Sequence, residues 1–262
     1  MSEKVVLCTG ANQGLGFAII QVAALRYPTH KYILCSRDLG AGQQAVQKLR
    51  DLGVTAAIDL VQLDVTKDEQ ITAVVDKVTS TYGRLDVLIN NAGIIRLPSA
   101  TDLPAARATY NEILNVNITS VALMTTAFTP LLYQSSSPKV INISSGLGSI
   151  QNSLTKKMGR APAYGASKIG MNGLTVHMQV AENDRIEKEE AESTGSGGKP
   201  RIRYYACAPG ALKTAFTNWW PNGRSPEDGA EVVVQLLGDD EGKFEGGSYW
   251  EFVEGEMKVV PW

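Results

Sequence analysis

The chain has 262 residues, a formal net charge of −2, and 44% hydrophobic and 20% charged residues. A chain of this length can bury roughly 70–75% of its unfolded surface within one α/β domain, so it needs neither disulfides nor a structural metal. The balanced charge gives no support for nucleic acid or an anionic membrane as main partner, and no segment approaches the ~18 apolar residues of a membrane span.

Short apolar runs alternate with helix-length segments along the chain. KVVLCTG (4–10) reads as a buried strand, and 14–27 as a helix ended near Pro28. KYILCS (31–36) is a second strand, followed by a helix over 40–52. IDLVQLDV (58–65) is a third strand, 68–81 a helix, and LDVLINNAG (85–93) a fourth strand. A long helical region covers 105–132, KVINISS (139–145) is a fifth strand, a helix spans about 162–182, and RIRYYACAPG (201–210) is a sixth strand. Continuously apolar, β-branched strands suit a parallel sheet covered on both faces, and their alternation with helices predicts one doubly wound, Rossmann-type α/β domain over 1–262. Cys8, Cys35 and Cys207 fall within strands at spacings that fit neither a disulfide framework nor a zinc site, so buried reduced thiols are expected. NDRIEKEEAESTGSGGKP (183–200) is charged and then Gly/Ser-rich, and reads as a solvated helix end with a mobile insertion.

Directly after the first strand stands TGANQGLG (9–16). Gly10, Gly14 and Gly16, with Asn12, Gln13 and Leu15 between them, let the backbone turn sharply and approach a pyrophosphate at a helix N-terminus. No Lys-Ser/Thr follows, which excludes the Walker pattern. The second strand ends in Cys35-Ser36-Arg37-Asp38. There Arg37, with Ser36 beside it, can pair with a ribose 2′-phosphate, which points to NADPH; the counter-reading has Asp38 face the ribose and Arg37 face solvent. Asp64-Val65 closes the third strand and Asn91-Ala92-Gly93 the fourth, so all of these segments converge on one crevice at the carboxyl ends of the strands.

In APAYGASKIG (161–170), Tyr164 and Lys168 lie four residues apart with only small residues between them. They share one helix face, an arrangement a core helix does not need. Ser144 and Ser145 close the fifth strand; alternation puts them on opposite faces, so only one points into the crevice. His30 and His177 have no metal-ligand spacing and read as structural or surface residues, so no metal is expected.

With TGANQGLG, NNAG, INISS and YGASK in this order, the chain resembles the short-chain dehydrogenase/reductase family from residue 4 to about 237, and CSRD followed by GQQAVQKL is most similar to its NADPH-dependent carbonyl reductases. The resemblance implies a catalytic tetrad of Asn117, Ser145, Tyr164 and Lys168, and it favours Ser145 over Ser144. It further implies that Asp64 and Val65 contact adenine, that Asn91 lies beside the cofactor with Ala92 and Gly93, and that Pro209, Gly210, Leu212 and Thr214 of APGALKT border the nicotinamide. Tyr164 would protonate the carbonyl oxygen, Ser145 would orient it, and Lys168 would hold the nicotinamide ribose and lower the Tyr164 pKa.

Eighteen residues separate Ser145 from Tyr164, more than the family's usual spacing and fewer than the long insertion of its monomeric carbonyl reductases. That spacing weakens the expectation of a monomer and is compatible with a homodimer or homotetramer. The family's substrate lid corresponds to 211–226. Phe216, Trp219 and Trp220 there, with Leu147 and Met158, form a candidate apolar pocket for a small carbonyl or alcohol substrate, or else pack the lid onto the body or form a subunit contact.

The expected function is NADPH-dependent, reversible hydride transfer to a ketone or aldehyde, in the cytoplasm. Two alternatives stand beside it: an NAD-linked alcohol or polyol dehydrogenase, and a non-catalytic NADPH-binding sensor or scaffold.

Overall fold

The computed structural model describes residues 2–156, 158, 161–192 and 198–262. The elements run β1 (Val5–Cys8), α1 (Gly14–Arg26), β2 (Lys31–Ser36), α2 (Leu39–Asp51), β3 (Ala57–Gln62), α3 (Asp68–Tyr82) and β4 (Val87–Asn90). They continue with α4 (Leu103–Leu114), α5 (Ser120–Leu132), β5 (Lys139–Ile143), α6 (Ile150–Thr155), α7 (Pro162–Glu192), β6 (Arg203–Ala208), α8 (Pro226–Gly238), β7 (Ser248–Val253) and β8 (Glu256–Val259).

Eight strands form one sheet in the order β3-β2-β1-β4-β5-β6-β7-β8. All neighbours are parallel except β7 and β8, which close the edge as an antiparallel pair. The strand order reverses at β1, which pairs with β2 on one side and β4 on the other. That is the switch point where a doubly wound sheet opens a ligand crevice.

Strand alternation explains why both faces are covered. Val6 and Cys8 of β1 join a core with Ile19, Ile20 and Ala23 of α1 and Val233 and Leu237 of α8. Val5 and Leu7 join a separate core on the opposite face, with Val74 and Val78 of α3 and Met124 and Phe128 of α5. All three cysteines are buried and unpaired, and burial pushes the Cys35 and Cys207 thiols up to about 12.

Three differences from the sequence reading have physical causes. The helical region over 105–132 is two helices joined by a π turn at Asn115–Thr119, a wider turn that α-helical periodicity does not show. Helix α7 runs on to Glu192, taking in the first part of the charged segment. Arg185 pairs there with Glu182 and with Glu189 at 2.8 Å, one helical turn on either side. Within the 183–200 segment read as a mobile insertion, 193–197 lie outside the described residues. The third difference is that residues 248–259 extend the six expected strands by the β7–β8 pair.

Lys139 at the start of β5 is fully buried at the end of the sheet away from the crevice, its Nζ 3.0 Å from the Leu237 carbonyl and 3.8 Å from Asp240. Burial, with repulsion from Lys4 and Arg203, lowers its ammonium pKa to about 7 from an ordinary 10.5. The unfolded chain therefore binds this proton more tightly, and stability is lost as pH falls from about 10.5 to about 7. Lys4 also donates to the Leu237 carbonyl, at 2.9 Å, so that acceptor keeps a partner when Lys139 is replaced. Lys139→Met is expected to stabilise the fold by about 1–4 kcal/mol near pH 7, with the gain vanishing towards pH ~10. Thermal melts across that range check this; a variant destabilised equally at every pH would contradict it.

Candidate active site

The site is assembled from loops beyond the carboxyl ends of β1, β4, β5 and β6. The phosphate loop is shaped by close backbone approach. A Cβ on Gly16 would lie 2.6 Å from the Gly10 carbonyl and 2.5 Å from Asn91 Nδ2, so only glycine fits. Gly10 and Gly14 both hold left-handed φ values, +62° and +56°. Helix α1 begins after Gln13, whose side chain makes no cap, and its first turn holds no acid. By contrast, Asp38, Asp102 and Ser225 cap α2, α4 and α8. The open N–H groups of α1 suit an anion, and the loop and helix end fit the pyrophosphate of a dinucleotide.

Asn91 braces this loop from β4. Its Nδ2 donates to the carbonyls of Thr9 at 2.8 Å and Gly10 at 3.1 Å. Buried Thr9 answers, its hydroxyl oxygen accepting from Asn91 N at 3.0 Å and Ala92 N at 2.9 Å. Asn91, expected beside the cofactor, is therefore engaged with the loop that would hold it. Asn12 is half-buried and Gln13 exposed, while Leu15 packs partly into the core.

At the end of β2, the Asp38 carboxylate accepts from Ala41 N at 2.6 Å as the cap of α2. The buried Ser36 hydroxyl donates inward to the Asp38 carbonyl at 2.7 Å. Arg37 is exposed, and among the described residues its guanidinium makes no hydrogen bond or ion pair. Asp64 accepts from the Thr66 amide and hydroxyl at 3.0 and 2.7 Å. Those bonds and the Arg37 charge hold its carboxyl below the usual range, against the desolvation that would raise it. Val65 is buried in the core on the α3 and α5 side of the sheet.

The four tetrad candidates gather on α7 and its neighbours. Lys168 is buried, its Nζ 2.6 Å from the Ile143 carbonyl at the end of β5 and 5.7 Å from the centre of the Tyr164 ring. A Cβ on Gly93 would lie 3.3 Å from Asn117 Oδ1 and 3.7 Å from Lys168 Nζ, so the end of β4 runs directly beside both. Asn117 sits fully buried in the π turn. Its Oδ1 accepts from Ile94 N at 2.9 Å, while Nδ2 donates to the Ile94 carbonyl and the Ser167 hydroxyl, each at 2.9 Å. Ser167 in turn donates to the Tyr164 carbonyl at 2.7 Å. Asn117 thus joins the loop after β4 to the helix that carries Tyr164 and Lys168.

Ser145 is half-buried just past β5, and its hydroxyl oxygen accepts from Leu147 N at 3.3 Å. Ser144 is buried on the other side. Burial pushes the Tyr164 phenol well above its ordinary range, while interaction with the Ser145 hydroxyl acts against that rise. Burial lowers the Lys168 ammonium to about 8. The phenol therefore keeps its proton at neutral pH, as a donor must.

The segment after β6 returns to the phosphate loop: a Cβ on Gly14 would lie 3.7 Å from Thr214. Pro209, Leu212 and Thr214 are buried and Gly210 is exposed. The base of the 211–226 segment is fastened by backbone bonds from Lys213 N to the Arg224 carbonyl at 2.8 Å and from Arg224 N to the Ala211 carbonyl at 2.9 Å. Phe216 packs edge-on to Tyr164, ring centres 5.7 Å apart. Trp219 and Trp220 instead remain exposed, and Asn218 and Trp219 hold left-handed φ values of +50° and +54°, a costly conformation for a tryptophan. Leu147 is half-buried, with its carbonyl facing Gly165, and Met158 approaches Gly146. The structure thus sets Phe216, itself 42% exposed, edge-on to Tyr164 and leaves Trp220 and Trp219 46% and 62% exposed.

Sequence reading missed Thr9, Ile94, Ser167 and the Ile143 carbonyl. Two of these act through backbone atoms, which no side chain announces. Ser167 had a signal in its place inside YGASK.

No helix among the described residues is long and apolar enough to cross a membrane. Also among them, no group of three or more His, Cys, Asp or Glu is placed to hold a metal ion.

The chain matches the family model described as short chain dehydrogenase over residues 4–224. A short-chain dehydrogenase/reductase of Aspergillus fumigatus is 60% identical over 263 residues, covering 100% of this chain and 98% of the relative. Carbonyl reductase [NADPH] 1 of Mus musculus is 31% identical over 295 residues, covering 100% and 99%. The crystal structure of NADPH-bound carbonyl reductase from chicken fatty liver superposes with a TM-score of 0.79 at 25% identity, covering all of both chains. With a family model spanning most of its length and a relative 60% identical over all of it, this chain belongs to the short-chain dehydrogenase/reductase family of oxidoreductases.

Proposed function

We propose that the protein is an NADPH-dependent carbonyl reductase, with Tyr164 as general acid. The observation that carries this reading is buried Lys168 lying 5.7 Å from the buried Tyr164 ring, with the Gly93 backbone running from that pair to the uncapped glycine loop. The NADPH named for the mouse and chicken relatives supports the choice of cofactor.

The loop amides from Gly10 to Gly16 would hold the pyrophosphate, and exposed Arg37 a 2′-phosphate. Asp38 is a poor ribose partner because its carboxylate caps α2. Ser36 contributes less than the sequence suggests, its hydroxyl being turned inward. Bound NADPH would supply the hydride. Tyr164 gives its phenolic proton to the carbonyl oxygen, and the Ser145 hydroxyl donates a hydrogen bond to the same oxygen, stabilising its developing charge. Lys168, anchored on Ile143, would hold the nicotinamide ribose and keep positive charge beside the phenolate left behind. Phe216, Leu147 and Met158 form an apolar rim that favours an aromatic or bulky ketone over a small charged one.

Oxidation of NADPH and NADH against ketones, quinones and aldehydes tests the reading, with cofactor binding titrated in parallel. Turnover preferring NADPH is expected; binding without turnover on any of them would favour the sensor alternative. Arg37→Asp is expected to lower the NADPH:NADH ratio of kcat/KM by about ten- to a hundredfold, through loss of a charge-assisted pair and gain of a repulsive one. An unchanged ratio would remove Arg37 from the cofactor site.

A further inference from the structure

The turn from Ser145 to Gly148 carries the proposed substrate-orienting hydroxyl, and it is gripped by residues far away in sequence. The Tyr249 hydroxyl, from β7, donates to the Ser145 carbonyl, which also accepts from Gly148 N at 2.7 Å. Tyr249 is fully buried, and its phenol also faces Ser144 and Asn172. Asn172 Nδ2 donates to the Gly148 carbonyl at 3.0 Å. A Cβ on Gly148 would lie 2.6 Å from Ser144 Oγ and 2.9 Å from Asn172 Nδ2, so the turn has no room to shift towards α7.

Tyr249 is itself pinned from above. Val260 N donates to its carbonyl at 2.8 Å, and the chain past β8 turns back so that Trp262 stacks on the Tyr249 ring, centres 5.3 Å apart and planes at 21°. The Trp262 carbonyl accepts from Gln151 N at 3.2 Å, at the start of α6. One aromatic pair therefore touches both ends of the segment that leads from Ser145 into α6.

We infer that Tyr249, backed by Trp262, is a positioning residue that fixes the Ser145 backbone so that its hydroxyl meets the substrate oxygen at the distance the transition state requires. This rests on the reading of Ser145 as the substrate-orienting residue. Tyr249 packs with Ala206, Ala208 and Val260, and that packing needs its ring but not its hydroxyl, which is free to serve the Ser145 turn. Its hydroxyl meets the backbone carbonyl of a catalytic candidate whose own hydroxyl oxygen accepts from Leu147 N at 3.3 Å. Misplacement of a group by about 1 Å at a reacting centre is enough to lower turnover severely.

The test is a double-mutant cycle between Tyr249→Phe and Ser145→Ala, with NADPH and the carbonyl probes isatin and menadione. Tyr249→Phe keeps the stack on Trp262 and removes only the hydroxyl. It is expected to lower kcat about tenfold, the effect of one hydrogen bond at the barrier, with NADPH affinity within about twofold of wild type. In the Ser145→Ala background the same change is expected to cost less than about twofold, because there is no hydroxyl left to aim. Wild-type kcat in Tyr249→Phe overturns the inference, and so does an equal loss in both backgrounds, which would mark a purely structural role. Full activity in Ser145→Ala alone would instead overturn the reading of Ser145 and the inference with it. If Tyr249→Phe does not fold, Trp262→Ala at the part-exposed end of the stack takes its place. The same non-additive loss supports the clamp, and an unchanged kcat overturns it.

Discussion

Tyr164→Phe is expected to lower kcat by about 10²–10⁴-fold while leaving NADPH affinity nearly intact, the range attributed to a positioned proton donor. The ring stays, so its burial in the helix face and its edge-on contact with Phe216 are kept. Only the proton is lost. Lys168 stays in place because its ammonium is held by the Ile143 carbonyl, not by the phenol. Steady-state kinetics with cofactor titration check this, and activity within a few-fold of wild type would mean that another group supplies the proton.

Asn117→Leu is expected to cost both stability and activity. The substitution nearly preserves volume but removes one acceptor and two donors of a fully buried side chain. Ile94 would be left with its N–H and carbonyl unpaired. At about 1–3 kcal/mol for a buried group left unsatisfied, reduced for the part-buried Ile94 groups, the loss is about 2–4 kcal/mol. For a chain of this size that lowers the melting temperature by roughly 10 °C. Calorimetry measures it, and a shift below about 2 °C would show that the π turn holds without this side chain. Activity should fall further than stability alone requires, because the amide is what ties the loop after β4 to Ser167 beneath Tyr164.

Tyr164 and its helix partner Lys168 also show how much the sequence discloses. Tyr164 and Lys168 were legible because helical spacing and small neighbours are local facts, and TGANQGLG because glycine between strand and helix has few other uses. The strands of the parallel sheet were legible because burial on both faces makes them apolar throughout, as in VVLC of β1. The extension of α7 was not, since RIEKEEAE is both charged and strongly helix-forming. Its charge was read as solvation, while Arg185 and Lys188 find acids one turn away along the helix. The inward turn of Ser36 depends on a hydrogen bond to Asp38 that only the local backbone path decides. Tyr249 lies 104 residues from Ser145, and no spacing rule reaches across that separation. The edge strands β7 and β8 are half-exposed and mixed in character, so their pattern is weaker than that of the central strands.

The 211–226 segment, expected to be a lid, divides along the same line. The sequence marks 211–226 as aromatic, but not which aromatic faces inward. Thr214 decides that: its carbonyl accepts from Trp219 N at 2.8 Å and from the Thr217 hydroxyl at 3.1 Å. These bonds curl the segment so that Phe216 meets Tyr164 and the tryptophans point out.

Hydride transfer to a carbonyl with Tyr164 as acid is tested most directly with NADPH dideuterated at the nicotinamide C4 and a ketone that the wild type reduces. The product alcohol should carry one deuterium on the carbinol carbon and a solvent-derived proton on oxygen, and Tyr164→Phe should form almost none of it. Alcohol without deuterium on that carbon, or NADPH bound tightly and never consumed, would contradict the assignment of this site as a carbonyl reductase.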